Sequence, residues 1–152
     1  MPRKATAHDA QVLIHLYDLR REPVMRTARK YMTGEFWPQN YEEFRAVMNS
    51  YGTEQNAWFR QVLTYWDMAA AMVTQGAIHE DLFIEGNSEP FFLYAKFGDY
   101  LAPARKEHLN PDFCAHLEKI AARPKAKARI KVMRERMHAR RAAAAAVKAA
   151  NK

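Results

Sequence analysis

The sequence predicts an all-α protein, a compact multi-helix bundle with a projecting basic C-terminal helix. Among its 152 residues, alanine occurs 26 times, valine and isoleucine together 12 times and glycine 5 times. Alanine favours helix because it loses no side-chain entropy there, whereas strands favour β-branched residues. Apolar residues form 49% of the chain and aromatic residues 12%. This composition is enough to fill one globular core.

The N-terminal part of the chain predicts two short helices. Thr6 and Asp9 have the spacing of a capping box, and apolar residues then recur at helical spacing through residues 7–21. Pro23 suits the first turn of a second helix, which Gly34 would end as a C-cap. We expect these two helices to pair as a hairpin.

The middle of the chain predicts two further helices, over residues 40–52 and 54–75. Asn40 and Thr53 are their candidate N-caps. The second of these helices is apolar over most of its circumference, which is typical of a helix packed by several neighbours. We therefore expect Trp66, near its centre, to be buried.

Three shorter segments follow. Residues 78–85 predict a short helix or turn, and a further helix begins near Ser88. Pro103 is expected to bend or break that helix, because proline lacks the backbone N–H that a helix interior needs. Asn110 followed by Pro111 predicts the start of the next helix.

Charge divides the chain into a helical body, residues 1–122, and a basic arm, residues 123–152. The body has 13 basic and 16 acidic residues, whereas the arm has 11 basic residues and one acid, Glu135. The arm is rich in Ala, Lys, Arg and Met, which predicts a helix of about 25 residues. Residues at alternating spacings of four and three form a heptad-like seam, which could dock on the body or pair with a second chain: Ala126, Ile130, Met133, Met137, Arg140, Ala144 and Val147.

The basic arm is the candidate binding site for a polyanion. Its candidate residues are Lys125, Lys127, Arg129, Lys131, Arg134, Arg136, Arg140 and Arg141. Three interpretations remain open: a solvated tail, an arm that binds nucleic acid or another polyanion, and a helix that pairs with a second copy of the chain. The aromatic residues lie in the acidic body, away from these charges in the sequence. That separation argues against base stacking.

Asp67 is the candidate residue for a small-molecule groove, because it interrupts the most apolar helix. Its helical spacing with Arg60, Thr64 and Thr74 predicts a polar stripe at the surface or at a groove's rim. A buried ion pair with an arginine of residues 20–29 is the alternative, and a catalytic or ligand-binding role is a third.

Catalytic and metal-binding motifs are missing from the sequence. Structural zinc sites usually need several thiolates, which the single Cys114 cannot supply, and neither HExxH nor a glycine-rich phosphate-binding loop is present. We therefore expect no metal, no cofactor and no catalytic residue. A lone cysteine also suits the reducing cytoplasm. No apolar run approaches the ~20 residues that a bilayer-spanning helix needs.

Three segments carry a resemblance to a known family. Residues 16–32 contain two short helices with an Arg-rich turn, residues 51–83 a long aromatic helix that ends in glycine, and residues 92–107 a Tyr/Phe-rich helix. This arrangement resembles small helical bacterial proteins catalogued as domain of unknown function 4760. The resemblance would cover about residues 10–120. It implies a helical fold and no known activity.

The sequence as a whole favours a non-enzymatic intracellular interaction or adaptor module with an unknown protein partner. The alternative is a nucleic-acid-associated protein that uses residues 125–141. An enzyme or small-molecule binder with a groove near Asp67 is a third hypothesis.

Overall fold

The computed structural model describes residues 3–151, which form eight α-helices and one short π-helix. No strand occurs in these residues, so the predicted all-α class is confirmed. The helices are α1 (Ala7–Leu19), α2 (Pro23–Lys30), the π-helix (Tyr31–Glu35), α3 (Tyr41–Met48), α4 (Glu54–Thr74), α5 (Glu80–Gly86), α6 (Glu89–Glu107), α7 (Ala115–Ala121) and α8 (Pro124–Ala150).

Helix α4 is the centre of the bundle. It packs against α2, α3, α5, α7 and the π-helix, which explains why its sequence is apolar over so much of its circumference. Trp66 is 0% exposed, as predicted. The other large aromatic side chains of the core are Phe36, Phe44, Phe59, Phe83, Phe91 and Phe97.

The predicted capping box of α1 is confirmed, but the predicted hairpin is wrong. Thr6 accepts a hydrogen bond from the Asp9 backbone N–H, and Asp9 accepts one from the Thr6 backbone N–H. The same carboxylate also accepts from the backbone N–H of His79 at 2.8 Å, just before α5. This bond holds the start of α1 at α5, so α1 packs chiefly against α5 while α2 packs against α4.

Two helix ends also differ from the prediction. Gly34 does not end α2, because a π-helix continues to Glu35 and its wider turn delivers Phe36 to the core. Helix α6 passes through Pro103 without ending. Because proline has no backbone N–H, one carbonyl in the preceding turn lacks its helical hydrogen bond. Pro103 is exposed, so that carbonyl can bind water, and the lost bond costs less free energy than it would in the core.

Helix α7 begins at Ala115 rather than at the predicted Asn110. The residues after Pro111 form a turn that ends at Cys114, whose φ is +53°. A non-glycine residue with this left-handed backbone interrupts a helix, so the regular structure starts only after it.

The change in charge at residue 123 does not mark the end of the packed core. Ala126 and Ile130 belong to the buried core, and Met133 and Met137 are partly buried against it. Helix α8 therefore packs on α6 and α7 over its first half, whereas residues 142–150 are exposed. Within residues 3–151, no helix combines the length and apolarity needed to cross a membrane.

Candidate functional site

Part of the charge of α8 is used to hold it on the body. Three of the eight predicted polyanion-binding residues bind carboxylates or backbone carbonyls of the body. The contacts are Lys125 with Asp81 and Glu85, Arg129 with the carbonyls of Ile84 and Asn87, and Arg134 with Asp99 and the carbonyl of Ala95. An external polyanion would have to compete for these three side chains.

The other five predicted residues lie beside two different clefts. Lys127 and Lys131 line a cleft between α8 and α7. Arg136, Arg140 and Arg141 line a second and larger cleft. The two clefts share no lining residue, so they separate the remaining cations into two sets.

The larger cleft, which we call the α8 groove, has a volume of about 780 Å³. It lies between α8, the start of α6 and the loop after the π-helix. Its apolar lining consists of Trp37, Phe92, Met133, Met137 and Ala144, and its cations are Arg136, Arg140, Arg141 and Lys148. In the part of the chain that the structure describes, no carboxylate lines this groove.

Trp37 is fixed at one wall of the groove by contacts on its ring and on its nitrogen. Its indole N–H donates to the Gly34 carbonyl at 3.0 Å. The Lys96 amine lies 3.8 Å from the ring centroid, and the Arg141 guanidinium lies at 5.7 Å. Phe92 meets the ring edge-on, with centroids 6.0 Å apart. Aromatic and basic side chains that are remote in sequence are therefore interleaved, and the prediction of their separation is wrong in three dimensions.

Lys96 is a largely buried cation behind this wall. Its amine donates to the Met32 carbonyl at 2.7 Å. Burial lowers the pKa of Lys96 to about 7, and the positive charge of Arg141 contributes to the lowering. At neutral pH the amine is therefore partly unprotonated, unlike an ordinary surface lysine.

Asp67 has a structural partner on α7. Its carboxylate accepts a hydrogen bond at 2.8 Å from the backbone N–H of Leu117, in the first turn of that helix. The Cys114 side chain at the N-cap makes no capping bond, so Asp67 supplies one from α4. The ligand-binding groove proposed for Asp67 stays a prediction.

Two of the four arginines considered as partners of Asp67, Arg20 and Arg29, bind Glu89 instead. Arg29 donates to both Glu89 oxygens at 2.9 Å from its Nε, and Arg20 lies within 3.4 Å of the same carboxylate. The indole N–H of Trp66 donates to Glu89 at 3.0 Å. Glu89 is 10% exposed, so this network is an internal joint between α2, α4 and α6.

The remaining candidate side chains have ordinary structural surroundings. Cys114 is buried, and burial raises the pKa of its thiol, which makes it a poor nucleophile. His79 is the N-cap of α5, accepting from the Leu82 backbone N–H at 3.3 Å. Among residues 3–151, no group of three or more His, Cys, Asp or Glu side chains is placed to hold a metal ion.

Family comparison covers the body of the bundle. The family described as "Domain of unknown function (DUF4760)" matches residues 5–123. The chain belongs to this family. The match includes α1 to α7 and ends just before α8, so the DUF4760 bundle supplies one wall of the α8 groove and the C-terminal helix supplies the other. Neither the curated proteins nor the solved structures contain a match to the chain.

Proposed function

We propose that this DUF4760 protein is a non-enzymatic interaction module that binds an acidic, amphipathic helix of a partner protein in the α8 groove. The observation that carries the proposal is the groove's apolar lining together with four cations and no carboxylate among the described residues. Helix-in-groove recognition uses an apolar face for affinity, and complementary charges set orientation and partner choice. The single cysteine and the resemblance to bacterial proteins support a bacterial cytoplasmic location.

The spacing of the groove residues fits a helical occupant. Met133 and Met137 lie one turn apart, and Arg136, Arg140 and Lys148 follow at intervals of one and two turns. From residue 133 to residue 148, α8 extends about 22 Å, which matches roughly four turns of a partner helix. The two methionines are flexible and polarisable, so they can adapt to different apolar side chains.

A protein helix fits this groove better than a nucleic acid does. The Lys96 amine lies 3.8 Å from the Trp37 ring centroid and the Arg141 guanidinium lies at 5.7 Å, so a stacked base would compete with these two cations for the ring. With Arg129 and Arg134 bound to the body, four groove cations remain to contact phosphates. Duplex binding by four contacts predicts a log–log salt slope of about −4, and it leaves the apolar lining without a partner.

The direct test uses a defined peptide. The probe is a fluorescent four-turn peptide with leucines at helical positions i, i+3, i+4 and i+7 and glutamates on its flanks, compared with a scrambled peptide of the same composition. Arg136→Gln with Arg140→Gln removes two groove charges. Lys127→Gln with Lys131→Gln removes two charges from the other cleft of the same helix and is the matched control.

We expect the patterned peptide to bind the unmodified chain at least tenfold more tightly than the scrambled peptide. The groove variant should lose about tenfold in affinity, because each charged contact contributes roughly 0.5–1 kcal/mol at exposed sites, and the Lys127/Lys131 variant should lose less than twofold. Equal binding of both peptides, or equal losses in both variants, would contradict the proposal.

Oligonucleotide binding and sedimentation distinguish two other occupants of the groove. Tighter binding of a single-stranded or duplex oligonucleotide than of the patterned peptide would support the nucleic-acid alternative instead. If the occupant is a second copy of the chain, sedimentation without peptide would give an apparent mass that rises with protein concentration. Met137→Asp would abolish this self-association. Either result would replace the helical partner as the occupant of the groove.

A further inference from the structure

A third, smaller cavity lies beside the α8 groove, between α6 and α8. Its volume is about 200 Å³. Lys96 and Tyr100 line it from α6, and Arg134, His138 and Arg141 line it from α8. The acid at this cavity, Asp99, pairs with Arg134 at 3.2 Å. The cavity thus brings Lys96 together with two arginines and a histidine.

The Lys96 amine is not neutralised by a carboxylate among residues 3–151. Its contacts are the Met32 carbonyl at 2.7 Å and the face of Trp37 at 3.8 Å. A desolvated lysine beside other cations is the arrangement that favours the neutral, nucleophilic amine. The lowering of the Lys96 pKa to about 7 by burial and by Arg141 agrees with this geometry. A neutral amine is therefore available at pH 7, whereas an ordinary lysine is almost entirely protonated at that pH.

We propose that Lys96 captures a small carbonyl compound that carries a carboxylate or phosphate group, by forming an imine in this cavity. The lone pair of Nζ attacks the carbonyl carbon, and the carbonyl oxygen takes up a proton. The resulting carbinolamine loses that oxygen as water when the carbon–nitrogen double bond forms. The sum is amine plus carbonyl giving imine plus water, with no oxidant or reductant.

The surroundings of Lys96 suit the product as well as the reactant. A protonated imine keeps a positive charge on the same nitrogen, so its contacts with the Trp37 ring and the Met32 carbonyl persist. The anionic group of the captured compound lies beside Arg134, His138 and Arg141, and it supplies a negative charge to balance Lys96 and Arg141. The imine chemistry does not depend on the partner-binding function proposed for the groove, although Met137 and Arg141 line both cavities.

The test is trapping on the native full-length chain. Glyoxylate, the smallest 2-oxo acid, is added at pH 7 with cyanoborohydride, which reduces an imine to a stable secondary amine. Mass spectrometry of peptides then measures the initial rate of modification at Lys96 and at the exposed Lys127 and Lys131. We expect Lys96 to be modified at least tenfold faster than either one. Modification of Lys96 at or below their rate would overturn the capture site.

The role of the anionic group is tested by a second aldehyde. Glycolaldehyde has a similar size and no charge, so the ratio of glyoxylate to glycolaldehyde rates at Lys96 isolates the contribution of the cations. Arg141→Gln changes the reactivity of the amine equally toward both compounds, and this effect cancels in the ratio. We expect the ratio to fall at least threefold in that variant. An unchanged ratio in a variant with an unchanged circular dichroism spectrum would overturn the anionic specificity.

Discussion

Removal of α8 tests whether the basic arm is part of the folded core. A chain that ends at Arg123 loses Ile130, which is 6% exposed, together with the partly buried Met133 and Met137. Full burial of such a side chain stabilises by roughly 1.5–3 kcal/mol. If Ile130 contributes this full amount and each methionine half of it, the truncated chain loses roughly 3–6 kcal/mol of its free energy of unfolding. This is a large fraction of the 5–15 kcal/mol typical of a domain.

The measurement is thermal and urea unfolding followed by circular dichroism. For a chain of this size each kcal/mol corresponds to about 2–4 °C, so the truncation after Arg123 should lower the melting temperature by roughly 10–20 °C. Truncation after Arg141 is the matched control, because residues 142–150 are exposed, and it should change the melting temperature by less than about 3 °C. A cooperative transition within about 3 °C of the full chain after truncation at Arg123 would refute the packing argument.

Further predictions concern the joints of the bundle, each measured by urea or acid unfolding. Trp66→Ala should cost about 3–5 kcal/mol through lost burial and a cavity, and near-native stability would refute its central position. Glu89→Gln should cost about 2–3 kcal/mol by leaving two arginines uncompensated; a neutral effect would mean that water compensates them. Asp67→Ala should cost about 1 kcal/mol through the lost cap of α7. Hydrogen bonds from Tyr41 and Arg45 lower the pKa of Glu107 to about 2, from its ordinary value of 4.5. The stabilisation from the ionised Glu107 is therefore complete above pH 4.5 and is lost as the pH falls toward 2. Glu107→Gln should therefore flatten the pH dependence of unfolding in that window.

The elements that sequence alone could predict are those specified by local chemistry. The capping box at Thr6 and Asp9 and the long central helix around Trp66 require only residues within one or two turns of one another. The start of α7 could not be predicted in this way. It depends on Asp67, a residue of another helix, and on a left-handed backbone at Cys114.

The candidate site depends on contacts that no local pattern contains. Trp37 and Arg141 meet only because Ile130 and its neighbours on α8 pack onto α6 and α7. The spacing of Met133 and Met137 in the sequence predicts an apolar face on α8, but it does not indicate which helices that face packs against. The interleaving of aromatic and basic side chains therefore appears only in the folded chain, where it replaces the separation predicted from sequence.

The two uses of charge on α8 respond differently to salt, and this difference makes the peptide experiment interpretable. Ion pairs such as Lys125 with Glu85 join exposed side chains, so salt screens them, but Ile130 is buried and keeps α8 docked by apolar contact. Salt should therefore weaken peptide binding at Arg136 and Arg140 while the groove itself persists. Loss of peptide affinity at about 0.5 M salt with an unchanged unfolding transition would assign the effect to the groove cations. A parallel loss of both would mean that charge, rather than the apolar seam, holds α8 in place.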